Sequence, residues 1–326
     1  MSLVIHQYAY GDPGTFTAEQ ENVGEPGPGE VRLRQRAVGV NYIDLAFRAG
    51  AIGGNDFPVT IGLEAAGDVE AVGPGVTAFK VEDRVTYTSV PGANAEKRLI
   101  PASSILHLAE GVTYEQAAAI TAKGLTAGAL VTKGYPVGAG DVVLIHAAAG
   151  GVGSLLVRLA KARGAVVIGT VGSAAKVAAA AANGADHVYA LDSGEDIVAE
   201  IERITSGKGV NAVFDGVGRD TVDLSLHVVA ESGAVLLFGA SSGQPAPDRE
   251  LISAKRVALS RPSLDALVPD QKERQSLADE LFELVAGGEL ADLAITVYPL
   301  EDIARAHRDL ESRRSTGSLV LTVQPG

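Results

Sequence analysis

Apolar and polar positions alternate along this chain in two textures. Up to about Pro101 the pattern is that of strands and turns. Val31, Leu33, Val38 and Val40 mark an extended segment entered through the Pro-Gly-rich stretch Glu25 to Gly29. Short β-like runs follow at Ala65 to Val72, Arg84 to Tyr87 and Glu96 to Ile100, with Gly73, Pro74 and Gly75 as a turn. This half predicts a small, irregular β domain. Near Thr113 the texture changes: Thr113 and Gln116 have capping-box spacing and lead into the helix-favouring Ala117 to Ile120. From Asp141 the chain alternates strand with helix. Val142 to Ile145, Val166 to Val171, His187 to Leu191, Val210 to Phe214 and Val235 to Phe238 are β-branched or apolar runs separated by segments of helical length. That alternation predicts a parallel, doubly wound sheet. After about Arg261 the pattern turns back, with a helix over Gln275 to Ala286, a strand over Ile295 to Val297, a helix over Glu301 to Leu310 and a strand over Ser318 to Val323.

Composition narrows the functional classes. A length of 326 residues favours two domains, and 27 basic against 40 acidic residues give a net charge of −13. Such a surface repels phosphate backbones and anionic lipid, so neither nucleic acid nor membrane is an expected partner. The absence of cysteine excludes disulfides, thiolate nucleophiles and Cys-ligated zinc. The uncharged stretch Val142 to Val157 falls short of the ~18 apolar residues of a membrane span, and no basic segment followed by an apolar one opens the chain. A soluble, cytoplasmic protein is expected.

Ala147 to Gly153 reads AAAGGVG, between a predicted strand and a predicted helix. Set against G-x-G-x-x-G, the three positions are Ala148, Gly150 and Gly153. Gly150 lets backbone amides approach a pyrophosphate, and Gly153 allows close helix–strand packing. A tight βα turn without ligand is the plain alternative, and the missing first glycine favours it; the strand–turn–helix context favours a dinucleotide. No Asp or Glu lies between Asp141 and Asp186, where an NAD site places its ribose-binding carboxylate. Gly172, Ser173 and Lys176 stand there instead, suited to a 2′-phosphate. Ser173 as an ordinary N-cap and Lys176 as a solvated residue is the bland reading. The expected cofactor is NADPH rather than NADH.

The segments VGVNYID (Val38 to Asp44), GLEAAG (Gly62 to Gly67), AKGLTA (Ala122 to Ala127), HAAAGGVG (His146 to Gly153), GTVGSAAK (Gly169 to Lys176) and FDGVG (Phe214 to Gly218) together resemble the zinc-free quinone oxidoreductase branch, zeta-crystallin included, of the medium-chain dehydrogenase/reductases. SRPSL (Ser260 to Leu264) and HRDLESRRSTG (His307 to Gly317) extend the likeness over essentially the whole chain. The resemblance implies an α/β architecture, a Rossmann sheet inserted in a mainly-β GroES-like catalytic domain. Residues 1–122 and 262–326 would form the catalytic domain and 123–261 the NADPH-binding domain. It implies catalytic roles for Asn41, Asp44 and Lys123, with Asn41 and Thr126 on the nicotinamide side. It further implies cofactor contacts from Ala149, Gly150, Gly151 and Val152, and from Gly172, Ser173 and Lys176. Val217, Phe238, Gly239 and Ser241, with Arg314 and Thr316, complete that set. A homodimer is also implied.

The departures carry information too. Zinc-dependent relatives have G-H-E where this chain has Gly62, Leu63 and Glu64, so no metal is expected and Glu64 reads as a retained structural carboxylate. Related bacterial reductases usually carry Tyr at the positions of Ala46 and Ile52, an aromatic at Leu191, and Asn at Ala240. Without a metal, alcohol oxidation lacks its main electrostatic aid, whereas conjugated acceptors delocalise the charge left by hydride. Asn41 is suited to hold an acceptor oxygen or a ribose hydroxyl, and Asp44 and Lys123 to orient each other or relay a proton. A buried Asn satisfying backbone and a structural Asp–Lys pair are the plain alternatives. The expected function is NADPH-dependent hydride transfer to a quinone. The alternatives are reduction of enals, enones or enoyl thioesters, and a non-enzymatic, crystallin-like nucleotide-binding role.

Overall fold

The computed structural model describes residues 1–54, 56–290 and 292–323. The chain divides into two compact units, one made of residues 1–125 with 270–326, the other of residues 126–269.

The first unit opens with strands β1 (Ser2–Gln7) and β2 (Phe16–Glu21), which pair antiparallel, and then the long strand β3 (Glu30–Val40). A short helix α1 (Tyr42–Arg48) leads to strands β4 (Glu64–Val72), β5 (Arg84–Tyr87), β6 (Lys97–Pro101) and β7 (Ile105–His107). Along β3, Val31 and Leu33 are buried and Arg32 and Arg34 are partly exposed, the two-residue period of a strand with one covered face. Helix α2 (Tyr114–Ala129) follows, and its start carries the expected box: the Thr113 N–H donates to Gln116 Oε1 at 2.9 Å, and the Gln116 N–H donates to Thr113 Oγ1 at 3.1 Å.

The second unit alternates β8 (Val142–Ile145), α3 (Gly151–Ala162), β9 (Val166–Val171), α4 (Val177–Ala182), β10 (His187–Ala190), α5 (Ile197–Thr205) and β11 (Val210–Asp215). It continues through α6 (Val222–Val228), β12 (Val229–Leu237), α7 (Arg249–Lys255), β13 (Ala258–Ser260) and α8 (Leu264–Leu267). Its six strands are parallel in the order β10-β9-β8-β11-β12-β13. The order reverses between β8 and β11, and a doubly wound sheet binds its ligand outside the carboxyl ends of the strands at such a point. Leu144, Ile168, Val213 and Val235 form the buried layer beneath it.

The chain then re-enters the first unit through α9 (Gln271–Ala286), β14 (Ile295–Pro299), α10 (Ile303–Glu311) and β15 (Ser318–Thr322). Strand β15 pairs antiparallel with β3, so the last strand completes the sheet of the first domain: β14-β15-β3-β4-β5-β7, with β6 also on β3. Val31, Leu33, Val85, Tyr87, Ile100 and Leu321 come from both chain segments and share one core. Each such side chain contributes about 1.5–3 kcal/mol on burial, enough to lock the two segments together.

Candidate active site

In the first unit, Asn41 ends β3 and caps α1, and Asp44 lies within the first turn of that helix. The Asp44 carboxylate accepts the Asn41 backbone N–H at 2.8 Å, and the Asp44 N–H donates to the Asn41 carbonyl at 3.0 Å. Glu64 opens β4 opposite Gly39 of β3. A Cβ at Gly39 would lie 2.3 Å from both Glu64 Oε2 and the Ala118 carbonyl, so glycine there lets the carboxylate and α2 lie close against the strand.

Glu64 is fully buried. An ionised carboxylate out of water is tolerated only with compensating donors. It has three: Asn41 Nδ2 at 2.9 Å, the Ala122 N–H at 2.5 Å and Lys123 Nζ at 3.4 Å. Lys123 is itself buried. Its hydrogen bond therefore goes to Glu64, while Asp44 bonds the Asn41 amide; the expected mutual orientation of Asp44 and Lys123 gives way to an arrangement centred on Glu64. Lys123 reaches Asp44 only through its field.

Asp44 is 2% exposed, and its Oδ1 has no hydrogen-bond partner. Burial raises its carboxyl from 3.8 to about 7; the Asn41 N–H and the Lys123 ammonium oppose the rise, and the Glu64 charge adds to it. A group that exchanges its proton near neutrality, beside an amide held by a second carboxylate, can serve as general acid or base.

In the second unit, Gly150 caps α3, and its extended backbone (φ −84°, ψ 174°) leads from the end of β8 into the helix. A Cβ on Gly153 would meet the Ala147 carbonyl oxygen at 2.1 Å, so only glycine lets the helix pack this close to the turn. Ala147 takes the left-handed conformation, φ +52°. The first amides of α3, from Gly151 and Val152 onward, are the donors that a helix start leaves for an anion. Beyond β9, a Cβ on Gly172 would meet open space. Ser173 holds an N-cap position but its side chain makes no capping bond, so its hydroxyl is not spent on the helix. Burial lowers the Lys176 ammonium from its ordinary value, which an incoming anion would oppose.

Beneath this turn lies a buried polar chain that the sequence reading passed over. His146 Nδ1 lies 2.7 Å from Thr170 Oγ1, and His146 Nε2 lies 3.0 Å from Ser225 Oγ. The Ser225 hydroxyl donates to Asp215 Oδ2 at 2.9 Å, and Thr221 Oγ1 also donates to that carboxylate. Burial holds His146 below the usual imidazole range. With the Ser225 hydroxyl donating to Asp215, neutral His146 donates from Nε2 to Ser225 Oγ and accepts from Thr170 at Nδ1. Asp215 Oδ1 accepts the Val217 and Gly218 N–H groups, each at 2.9 Å. The neighbouring loop is tied to it: Ser241 N–H donates to the Gly216 carbonyl at 3.3 Å, and Ser242 Oγ donates to the Val217 carbonyl at 2.8 Å. A Cβ on Gly239 would lie 2.5 Å from the Gly216 carbonyl oxygen, and one on Gly216 would lie 2.7 Å from the Phe238 ring. Val217, Phe238, Gly239 and Ser241 thus belong to one interlocked pair of loops at the ends of β11 and β12.

Thr126 is partly buried in α2, within the second unit; Ala149 closes the β8 turn; Arg314 and Thr316 lie in the first unit, between α10 and β15. The Ile52 N–H faces the Ala46 carbonyl at 3.4 Å, so the two positions lacking the usual Tyr are neighbours. An edge-to-face pair of Tyr10 and Phe57, 4.9 Å between ring centres, stands beside Gly50 in the same region. No motif announced that pair. Among the described residues, His6, Glu19 and Glu21 could offer three donor atoms to a cation. His6 is already engaged by Glu21 at 2.8 Å and Thr60 at 3.0 Å.

Comparison with known proteins agrees with this geometry. Residues 27–127 match the alcohol dehydrogenase GroES-like domain family, and residues 151–295 match the zinc-binding dehydrogenase family. The chain is 40% identical to a quinone oxidoreductase of Pseudomonas aeruginosa over 98% of its length and 99% of that protein's. It is 37% identical to a 2-haloacrylate reductase of a Burkholderia species, over 99% of each chain. Its fold matches the crystal structure of Escherichia coli quinone oxidoreductase complexed with NADPH with a TM-score of 0.94, at 37% identity over 98% of this chain and 100% of that one. The fold and site define a medium-chain dehydrogenase/reductase. Within that superfamily the chain belongs to the zinc-free quinone oxidoreductase branch, where Leu63 stands in a ligand position and no cysteine is available.

The raised Asp44 carboxyl has a measurable consequence for stability. The unfolded chain releases this proton near 3.8 and the folded protein holds it to about 7, so Asp44 lowers stability progressively as pH rises through that window. Asp44→Asn keeps an acceptor for the Asn41 N–H and removes the charge. In urea denaturation the variant should gain stability relative to the parent as pH rises from 3.8 to about 7, the difference levelling off above that window. A difference independent of pH would show that Asp44 is not held protonated.

Proposed function

We propose that this protein is a zinc-independent reductase that uses NADPH to transfer hydride to a quinone. The observation carrying the reading is the composition of the site around Glu64. Leu63 offers no ligand, and Glu64 organises an amide and an ammonium beside a protonatable acid. The chain's turn at Ala149 to Val152 suits the pyrophosphate, Gly172, Ser173 and Lys176 suit the 2′-phosphate, and Thr126 with the interlocked loops carrying Val217, Phe238, Gly239 and Ser241 would hold the remainder; Arg314 and Thr316 would be further contacts. When bound, NADPH supplies the hydride.

The chain's own residues then do three things. Glu64 accepts a hydrogen bond from Asn41 Nδ2, which fixes the amide plane and leaves the second N–H for an acceptor oxygen or a ribose hydroxyl. Lys123 stabilises negative charge in the same pocket. Asp44, protonated near neutrality, supplies the single proton that converts the hydroquinone anion left by hydride addition into hydroquinone, and is reprotonated from solvent. The likeness to a 2-haloacrylate reductase, with the small side chains Ala46 and Ile52, favours reduction of small conjugated carbonyl compounds as a second reading.

NADPH oxidation measured against a naphthoquinone, a short enal and an enoyl thioester tests this directly. Turnover with the quinone is expected, and inactivity with every acceptor would contradict the reading. Asn41→Ala should lower turnover on the order of a hundredfold, as loss of a positioned donor does, with a much smaller change in NADPH affinity.

No described helix is long and apolar enough to cross a membrane. We further propose a cytoplasmic homodimer joined along β13, which pairs with β12 at the edge of its sheet. Light scattering should return twice the 33.3 kDa chain mass; a monomer at micromolar concentration would exclude it.

A further inference from the structure

The loop after β10 approaches the turn assigned to the 2′-phosphate. Strands β9 and β10 are parallel neighbours, with Ala190 opposite Val171 and the Leu191 N–H donating to the Val171 carbonyl at 2.8 Å. The residues that follow each strand are therefore brought side by side. Ser193 stabilises the turn by donating from Oγ to the Ala190 carbonyl at 2.8 Å. This geometry carries Asp192 to the other loop, where its Oδ1 accepts the Ala174 N–H at 3.2 Å. Ala174 lies between Ser173 and Lys176. A carboxylate of the chain itself thus accepts a backbone donor in the turn where an external anion is expected. Glu195 and Asp196 add two further acidic residues to the same exposed loop.

We infer that Asp192 is an internal competitor for the 2′-phosphate site and narrows the preference for NADPH over NADH. The chemistry is symmetrical: carboxylate and phosphate oxygens both accept from a backbone N–H, and both are attracted by Lys176. Entry of the 2′-phosphate requires Asp192 to release the Ala174 N–H, and the two anions then repel at close range. NADH, with a 2′-hydroxyl, meets neither penalty. No carboxylate follows β9 in its own loop, but one arrives from the loop after the next strand instead. The inference rests on the assignment of Ser173 and Lys176 to the 2′-phosphate.

The test is equilibrium binding of NADPH and of NADH, by fluorescence titration of the folded protein, in the parent and in Asp192→Asn, Asp192→Ala and Lys176→Ala. Removing an exposed charge should strengthen NADPH binding about two- to fivefold, the range of a surface ion pair, with NADH affinity unchanged. Asp192→Asn keeps an acceptor without the charge, so an increase in both variants assigns the effect to repulsion. An increase in Asp192→Ala alone assigns it to the hydrogen bond, and either supports the competition. An unchanged or weaker NADPH affinity, or an equal gain for both cofactors, would overturn it. Lys176→Ala serves as the separate control: if it leaves NADPH affinity unaltered, the 2′-phosphate site is elsewhere and the assignment beneath the inference fails, whatever Asp192 does. Thermal melting of each variant verifies that the fold is intact.

Discussion

A carboxylate removed from water must find its compensation inside the protein, and Glu64 imposes that demand on the region where β3, α1, β4 and α2 meet. It takes a side-chain amide from the start of α1, and a backbone N–H and an ammonium from consecutive residues of α2. Gly39 leaves the room that this requires. Two carboxylates share the pocket with a single ammonium, and the division is unequal. Glu64 holds the hydrogen bonds of Asn41 and Lys123, whereas Asp44 keeps one backbone donor and an unpartnered oxygen. Burial, which the single backbone donor and the field of Lys123 do not offset, raises the Asp44 carboxyl to about 7. In this chain Glu64 thus braces the Asn41 amide, with a protonatable acid beside it.

The second unit solves a related problem in a different way. Asp215 is equally buried, yet its donors are two hydroxyls and two backbone N–H groups, without a counter-charge at hydrogen-bond distance. Its work is to hold the loop after β11, and the glycine contacts at Gly216 and Gly239 press the loop after β12 onto it. These two loops are therefore positioned from below by a polar network rather than by apolar packing alone. Such a network is costly to break, because each partner left behind would be buried without a bond.

Much of this was legible from residue order. The parallel sheet and the turn at Gly150 follow from periodicity and glycine spacing, because buried parallel strands are continuous apolar runs; the pattern after Arg261 marks a change of texture, and the return of the chain to its first domain is what the family resemblance implies. Strand β2, FTAEQE, was not legible: it is mostly exposed and polar, and it is held by pairing with β1 rather than by a core. Helix α1 is too short for a period to register. Motif likeness brought Asn41, Asp44 and Lys123 forward, but not the centring on Glu64, since which of two nearby carboxylates wins an ammonium depends on distance and burial. Asp192 and the His146–Asp215 chain were hidden for the same reason. They become neighbours of the turns after β8 and β9 only after β9, β10 and β11 have paired.

The central claim is that a buried acid, poised by its neighbours, delivers the proton that completes reduction. The pH dependence of kcat/KM for NADPH-driven quinone reduction, in the parent and in Asp44→Asn, addresses it most directly. The account predicts a parent profile that falls as pH rises through about 7, where Asp44 loses its proton, and a lower, flat profile in the variant. A falling limb of the same position in both proteins, or a parent profile without one, would contradict it.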